Sequence, residues 1–431
     1  MNTKKYFIEI FKKGEEQNEK QDSVIDAIRA LSVLSIIAFH VMIGVIQVYD
    51  HSKAKQFILG MPSLLQPLWH GEKGVDAFFL LSALVIGLPF FKNIDNYNLS
   101  TAKEFLKKKF FRIYPLFLVA LILYTLGQWS YFGEYFFSNL FFLNNIIPGE
   151  RTIIPVGWFL TVEVQYFILL PILFFALKKI RLQKTKYIGI VLSTLFVSSV
   201  VACALVLLSN SDLYLRPITD LFLAEDRNDF SARMGRFFYE ANLTRYGPFV
   251  AGILLAYLKI FHSEKLASIL KNKFIGILFF FAAAAMILFP ILLPIYDPDS
   301  WYYNSFSAGQ NFWVLAASRQ IFALGLVLLI LGCWYSLALP FALIKKIFSW
   351  RVWRPISKLS FPIYLFHFPF IAIAAAAVFG TTNIKEIAAV SFLSGSLIFC
   401  LAFALTFIFS IPLYIYIERP IIERTKNSAK I

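Results

Sequence analysis

The run from Asp26 to His40 reads DAIRALSVLSIIAFH, an apolar stretch with an arginine near its start and a histidine at its end. Arg29 and His40 are eleven residues apart, which on an α-helix is close to three turns and about 16 Å of rise. Their side chains therefore share one face, and Asp26, three residues before Arg29, lies on it too. The run continues to about Val48, long enough to cross a bilayer. An ionisable side chain within such a helix is costly unless it faces protein or water. The imidazole suits proton transfer, and the guanidinium suits anchoring an anion. The plainer readings are a packed or snorkelling histidine and an ordinary inner-edge arginine.

Six other stretches carry chemistry. WHGEKGVDAFFLLSALVIG places Asp76 near one membrane edge, where a carboxylate needs a partner, and Ser82 and Ala83 in mid-membrane, where small residues let a neighbouring backbone approach. His70 reads as a surface residue. FLKKKFFRIYP sets Lys108, Lys109 and Arg112 at the opposite edge as a basic face suited to a phosphorylated ligand or anionic lipid headgroups. VGWFLTVEVQYFILLP puts Glu163 about two turns in, at the expected depth of His40, so a carboxylate–histidine contact is allowed. Trp158 reads as an interfacial anchor. Later, Arg319 lies among apolar residues as a partner for Asp76 or Glu163, or as a contact for an acceptor. Tyr364 and His367 share a face of KLSFPIYLFHFPF, with His367 expected well away in depth from His40, in a supporting or ligand-gripping role. Glu418 in YIYIERP can orient Arg29, Arg112 or Arg419, or simply end a helix.

These residues must be held by helices. The chain is 431 residues long, 58% hydrophobic and only 16% charged, where a soluble domain has nearer 25% charged. Its apolar runs predict an all-α, polytopic transmembrane bundle of about ten spanning helices, at 24–48, 69–91, 112–130, 156–177, 187–208, 244–260, 274–295, 312–334, 360–379 and 386–413. The run 135–147, cut by Asn144, Asn145 and Pro148, reads as interfacial or re-entrant. With both termini in the cytoplasm, Lys and Arg gather in every cytoplasmic loop, while Asp212, Asp220, Glu225, Asp226, Asp229, Asp297 and Asp299 fall on the other side. Loop bias thus explains the net charge of +15 without nucleic acid. The expected organisation is a cytoplasmic tail at 1–23, a membrane domain at 24–418 with a long extracytoplasmic loop at 209–243, and a cytoplasmic tail at 419–431. No signal peptide is read at the N-terminus. Cys203, Cys333 and Cys400 fall in apolar runs with no disulfide or metal spacing, so no metal is expected.

In this order the motifs resemble the acyltransferase-3 family, integral-membrane acyltransferases that modify surface polysaccharides and related glycans. The matching pieces are Arg29 with His40, the GVDAFFLLSA run from Gly74 to Ala83, Lys108, Lys109 and Arg112 before Pro115, Trp158 to Glu163, Tyr364–Leu365 with His367, and Glu418 to Pro420. The chain departs from the family pattern at Ala83, usually glycine, and at Lys108 and Lys109, usually arginines. Lysine lacks arginine's bidentate fork, a change that phosphate binding survives more readily than precise donor geometry does.

The resemblance implies transfer of an acyl group, most often acetyl, from cytoplasmic acyl-coenzyme A to a hydroxyl of an extracytoplasmic glycan or lipid-linked glycan. It implies that Arg29, Lys108, Lys109 and Arg112 hold the donor phosphates, that His40 is the general base, and that Glu163 orients it. Arg319 or Ser82 would stabilise the oxyanion, and Asp76, Tyr364, His367 and Glu418 would support the site. Many family members carry a fused extracytoplasmic esterase-like domain. None is read here, so any hand-off enzyme of the envelope would be separate or unnecessary. A bacterial cytoplasmic membrane is the expected location, with membrane lipids as neighbours. A proton-coupled transporter or flippase of a glycan or lipid would use the same intramembrane residues, and a structural recruiting partner would need neither His40 nor Arg29.

Overall fold

The computed structural model describes residues 3–11, 19–48, 51–61, 63–127, 133–147, 151–182, 184–297, 299–383 and 390–427. The predicted spans at 112–130 and 386–413 thus end and begin, respectively, outside the described residues. Among the described residues ten long helices form the bundle: α1 (Glu19–Val48), α2 (Lys73–Lys92), α3 (Leu99–Gly127), α4 (Gly157–Arg181), α5 (Thr185–Ser209), α6 (Asn242–Phe261), α7 (Lys273–Leu292), α8 (Ala308–Tyr335), α9 (Ser360–Phe379) and α10 (Phe392–Leu413). There is no strand among the described residues. The chain is an all-α, multi-pass membrane protein.

Nine segments among the described residues are long and apolar enough to cross a membrane. The exception is α6, a 20-residue helix of spanning length that carries Arg245 and Lys259. It tolerates those charges because it lies inside the protein, packed against α2, α5 and α8. By contrast, α5 and α7 turn Val197, Val201, Leu205, Phe281 and Leu288 outward, as helices facing hydrocarbon do.

Small residues set the closest approach. A Cβ at Gly252 of α6 would collide with the Leu80 carbonyl oxygen and press on Ala83 of α2, and one at Gly87 of α2 would press on Ala256. Contact between these backbones substitutes for the hydrophobic effect, which is absent between helices in lipid. Ala83 is therefore the packing residue of its pair, and Ser82 is not.

Helix α1 packs on α2, α9 and α10. At its N-terminal end, Asp26 accepts a hydrogen bond from Ser357 Oγ at 2.6 Å. On the same end of the bundle the helices Thr3–Phe11 and Arg419–Asn427 meet through Lys5–Glu423 at 2.8 Å and Arg419–Glu9 at 2.7 Å.

Candidate active site

The two histidines expected at different depths are in contact. His40 Nδ1 and His367 Nε2 are 2.8 Å apart, with the rings stacked at a centroid separation of 5.0 Å. His367 Nδ1 lies 2.7 Å from the Tyr364 carbonyl oxygen. A carbonyl only accepts, so His367 Nδ1 carries the proton, and in the neutral ring its Nε2 is an acceptor. That acceptor takes the Nδ1–H of His40, which leaves the lone pair of neutral His40 on Nε2. His367 is fully buried, while His40 is half-buried between Phe39 and Phe368. The separation in depth fails because α1 and α9 run side by side from the same end, so helical rise lifts both rings together.

Glu163 is not the partner of His40. Its Oε1 accepts a hydrogen bond from Ser82 Oγ at 2.5 Å. Both residues line a cleft of about 90 Å³ together with Arg29, Lys109, Arg112, Ser360 and Tyr364. The start of α4 explains the placement. Tyr364 Oη donates to the Val156 carbonyl at 2.9 Å, so α4 begins at the level of Tyr364, inside the bundle. Glu163 then falls roughly 10 Å further in, away from His40 and among the basic residues. The segment 133–147 leads into this deep start with a short helix, Phe136–Leu140. Its Asn144 and Asn145 are tied to Thr161 and Gln165 of α4 at 2.8 and 2.9 Å.

Lys108 leaves the basic group. It pairs with Glu104 one turn back at 2.5 Å, and both side chains are nearly half exposed. Successive helical residues are rotated by about 100°, so Lys109 and Arg112 enter the cleft while Lys108 turns out. Glu418 is buried in a π turn, Tyr414–Glu418, with one carboxylate oxygen unpartnered. Its charged neighbours are Arg112, Arg419 and Arg29. Arg419 itself bonds Glu9 rather than Glu418.

A second buried centre lies at the N-terminal end of α2. Asp76 pairs with Arg245 of α6 at 2.9 Å, both side chains fully buried. Arg319 does not take that role. Its guanidinium lies over the rings of Phe238 and Tyr239, 4.6 and 5.4 Å from their centroids, with Nη1 unpartnered. Both suggested oxyanion donors are engaged with other groups, Ser82 with Glu163 and Arg319 with these rings. His70 is buried rather than at the surface. Trp158 is likewise no interfacial anchor. It is buried, 4.9 Å beneath the Arg245 guanidinium. Arg245 was the residue missed from the sequence. An arginine in the first turn of an otherwise apolar helix, NLTRYGPFV, was the available signal.

Residues 22–415 match the acyltransferase domain profile. The chain belongs to the acyltransferase-3 family. It is 23% identical over 372 residues to the O-acetyltransferase OatA of Staphylococcus aureus, covering 80% of this chain and 50% of that protein. It is 21% identical over 388 residues to nose resistant to fluoxetine protein 6 of Caenorhabditis elegans, covering 81% of this chain and 45% of that protein. The chain thus spans about half the length of the curated relatives it matches. No solved structure matches it. In this family member the first-helix histidine is paired with the histidine of α9, and the first-helix arginine opens onto the Glu163 cleft.

Proposed function

We propose that the chain is a membrane O-acyltransferase, specifically an O-acetyltransferase, that moves an acetyl group from acetyl-coenzyme A to a hydroxyl of a glycan or lipid-linked glycan. The observation that carries this reading is the chain Tyr364 carbonyl–His367–His40, which leaves His40 Nε2 as a base. Arg29, Lys109 and Arg112 are the donor's phosphate partners, being a cluster of cations on one cleft. The cleft has room for a phosphate group rather than a whole nucleotide, so most of the donor extends beyond it. Arg29 and His40 stand about 16 Å apart along α1, which suits a donor whose charged end and thioester are joined by a long arm.

In the reaction His40 Nε2 takes the proton of the acceptor hydroxyl as its oxygen attacks the thioester carbonyl. The C–S bond breaks, and the imidazolium returns the proton to the departing thiolate. His367 holds the Nδ1–H side of His40 throughout. Glu163 neutralises part of the basic cluster and, through Ser82, fixes where it lies. With both termini cytoplasmic, the basic cleft opens to the donor's compartment and His40 lies toward the other side.

The test is turnover of radiolabelled acetyl-coenzyme A by the purified full-length protein in nanodiscs. The parent should consume the donor, and His40→Ala should not. Equal turnover by both would refute the assignment of the base. A folded parent that binds no acyl-coenzyme A would favour a transporter of glycans or lipids.

A further inference from the structure

Residues 336–359 link the end of α8 to the start of α9, and Ser357 among them bonds Asp26 near the start of α1. The link therefore stays at that end of the bundle. It contains the helix Leu339–Phe348, whose 10 residues are too few to cross a bilayer. One face of this helix is docked. Phe341 is fully buried, where it fills the space left by Gly332 of α8 and meets Phe280 of α7 edge to face at 5.6 Å. A Cβ at Gly276, in the first turn of α7, would press on Ser336 and Ala338. The helix thus lies level with the first turns of α7, at the edge of the membrane.

The opposite face is apolar and open. Leu339, Leu343 and Ile347 recur every fourth residue and are 69%, 53% and 42% exposed, so they form one row along the helix. Trp350, 57% exposed, follows in the next turn. Trp353 Nε1 donates to the Ile347 carbonyl at 2.8 Å, which holds the turn from Arg351 to Arg354 close to the end of that row. The charge of the link has one sign. Residues 336–359 contain Lys345, Lys346, Arg351, Arg354 and Lys358 and no acid. Lys345 is committed to the Ser336 carbonyl at 3.0 Å, and Lys358 to the Glu9 carbonyl. Lys346 and Arg351 are exposed and Arg354 is half-buried, and none of the three has an ion-pair partner among the described residues. An apolar row, a tryptophan at its end and flanking cations are the pattern of a helix lying in the plane of a membrane surface.

We infer that Leu339–Phe348 is an in-plane membrane helix that collects anionic phospholipids. Leu339, Leu343, Ile347 and Trp350 lie among the acyl chains, and Lys346, Arg351 and Arg354 take the anionic headgroups. The inference goes beyond the acyltransferase reading and stands without it. Trp350 is the probe. The full-length protein is placed in phosphatidylcholine nanodiscs that carry the same small fraction of either dibromo-phosphatidylglycerol or dibromo-phosphatidylcholine, brominated at one acyl position. The emission of Trp350 is read as the difference between the parent and Trp350→Phe. Both lipids should quench it, and the anionic one at least about fivefold more strongly, the enrichment that a single cation at the surface confers. Lys346→Gln, Arg351→Gln and Arg354→Gln together should bring the two lipids level and leave the phosphatidylcholine quenching in place. Elution profile and thermal melting establish that the variants are folded. If the triple variant does not fold, Lys346→Gln with Arg351→Gln, both exposed, must still reduce the anionic preference. Equal quenching of the parent by the two lipids overturns the inference, as does a folded variant that keeps the full preference. Emission of Trp350 that neither lipid quenches places it in water and overturns the inference as well.

Discussion

His40 and His367 are joined Nδ1 to Nε2 at 2.8 Å, across two helices 327 residues apart in sequence. The contact makes His367 a positioning residue, since it fixes which nitrogen of His40 holds the lone pair. His40→Ala should lower turnover by roughly 10²- to 10⁴-fold, the usual worth of a general base. His367→Leu should lower kcat less, with an unchanged KM for acetyl-coenzyme A, because His40 remains but its tautomer is no longer held. His367→Gln, whose amide oxygen can accept from His40, should recover part of the loss. Steady-state kinetics of the three variants check this, and equal kcat for the leucine and glutamine variants would count against a hydrogen-bonding role.

The separation of Lys108 from Lys109 and Arg112 gives a contrast within five residues. Arg29→Ala and Arg112→Ala should each raise KM for acetyl-coenzyme A by roughly ten- to a hundredfold, the worth of a hydrogen bond between charged partners. Lys108→Ala should leave it where it is, since that ammonium belongs to Glu104. The measurement is donor KM in all three variants. A Lys108 effect as large as that of Arg112 would move the phosphate site out of the cleft.

The bundle and its basic face were legible because hydropathy and loop charge act locally along the chain. Helix edges group Lys108 with Lys109 and Arg112, the resemblance adds Arg29, and only the packing of α3 turns Lys108 out. The partners of Glu163 and His40 were not legible, because depth was inferred by counting from assumed membrane edges. The start of α4 lies inside the bundle, bonded to Tyr364, so the count for Glu163 began from the wrong level. Asp76 announced its need for a partner, but its choice of Arg245 over Arg319 depends on α6 lying against α2, which periodicity does not encode.

The Asp76–Arg245 pair should be a large contributor to folding specificity and a costly one to break. Removing one member leaves a buried charge uncompensated, at about 3–5 kcal/mol. Asp76→Asn and Arg245→Gln should each lower the detergent melting temperature strongly. The double variant should lose less than the two single losses added together, because it leaves neither charge alone. A double-mutant cycle on thermal stability reads this directly, and strict additivity would mean that the two groups are not coupled.

Glu240, at the end of the 209–243 loop, gives the protein a stability that depends on pH. Burial pushes its carboxyl up to about 7, opposed by the nearby Arg245. The ordinary carboxylate range is near 4.3, so between these values the folded state holds a proton that the unfolded state has lost. The unfolded chain then binds fewer protons, and stability falls as pH rises. The contribution is present in full at the lower end of the window and is lost as pH rises through about 7. Glu240→Gln keeps the neutral shape at every pH. Its melting temperature should match the parent near pH 4 and exceed it at pH 8. A parent and variant whose melting curves run parallel across that range would show that Glu240 titrates as an ordinary exposed carboxylate.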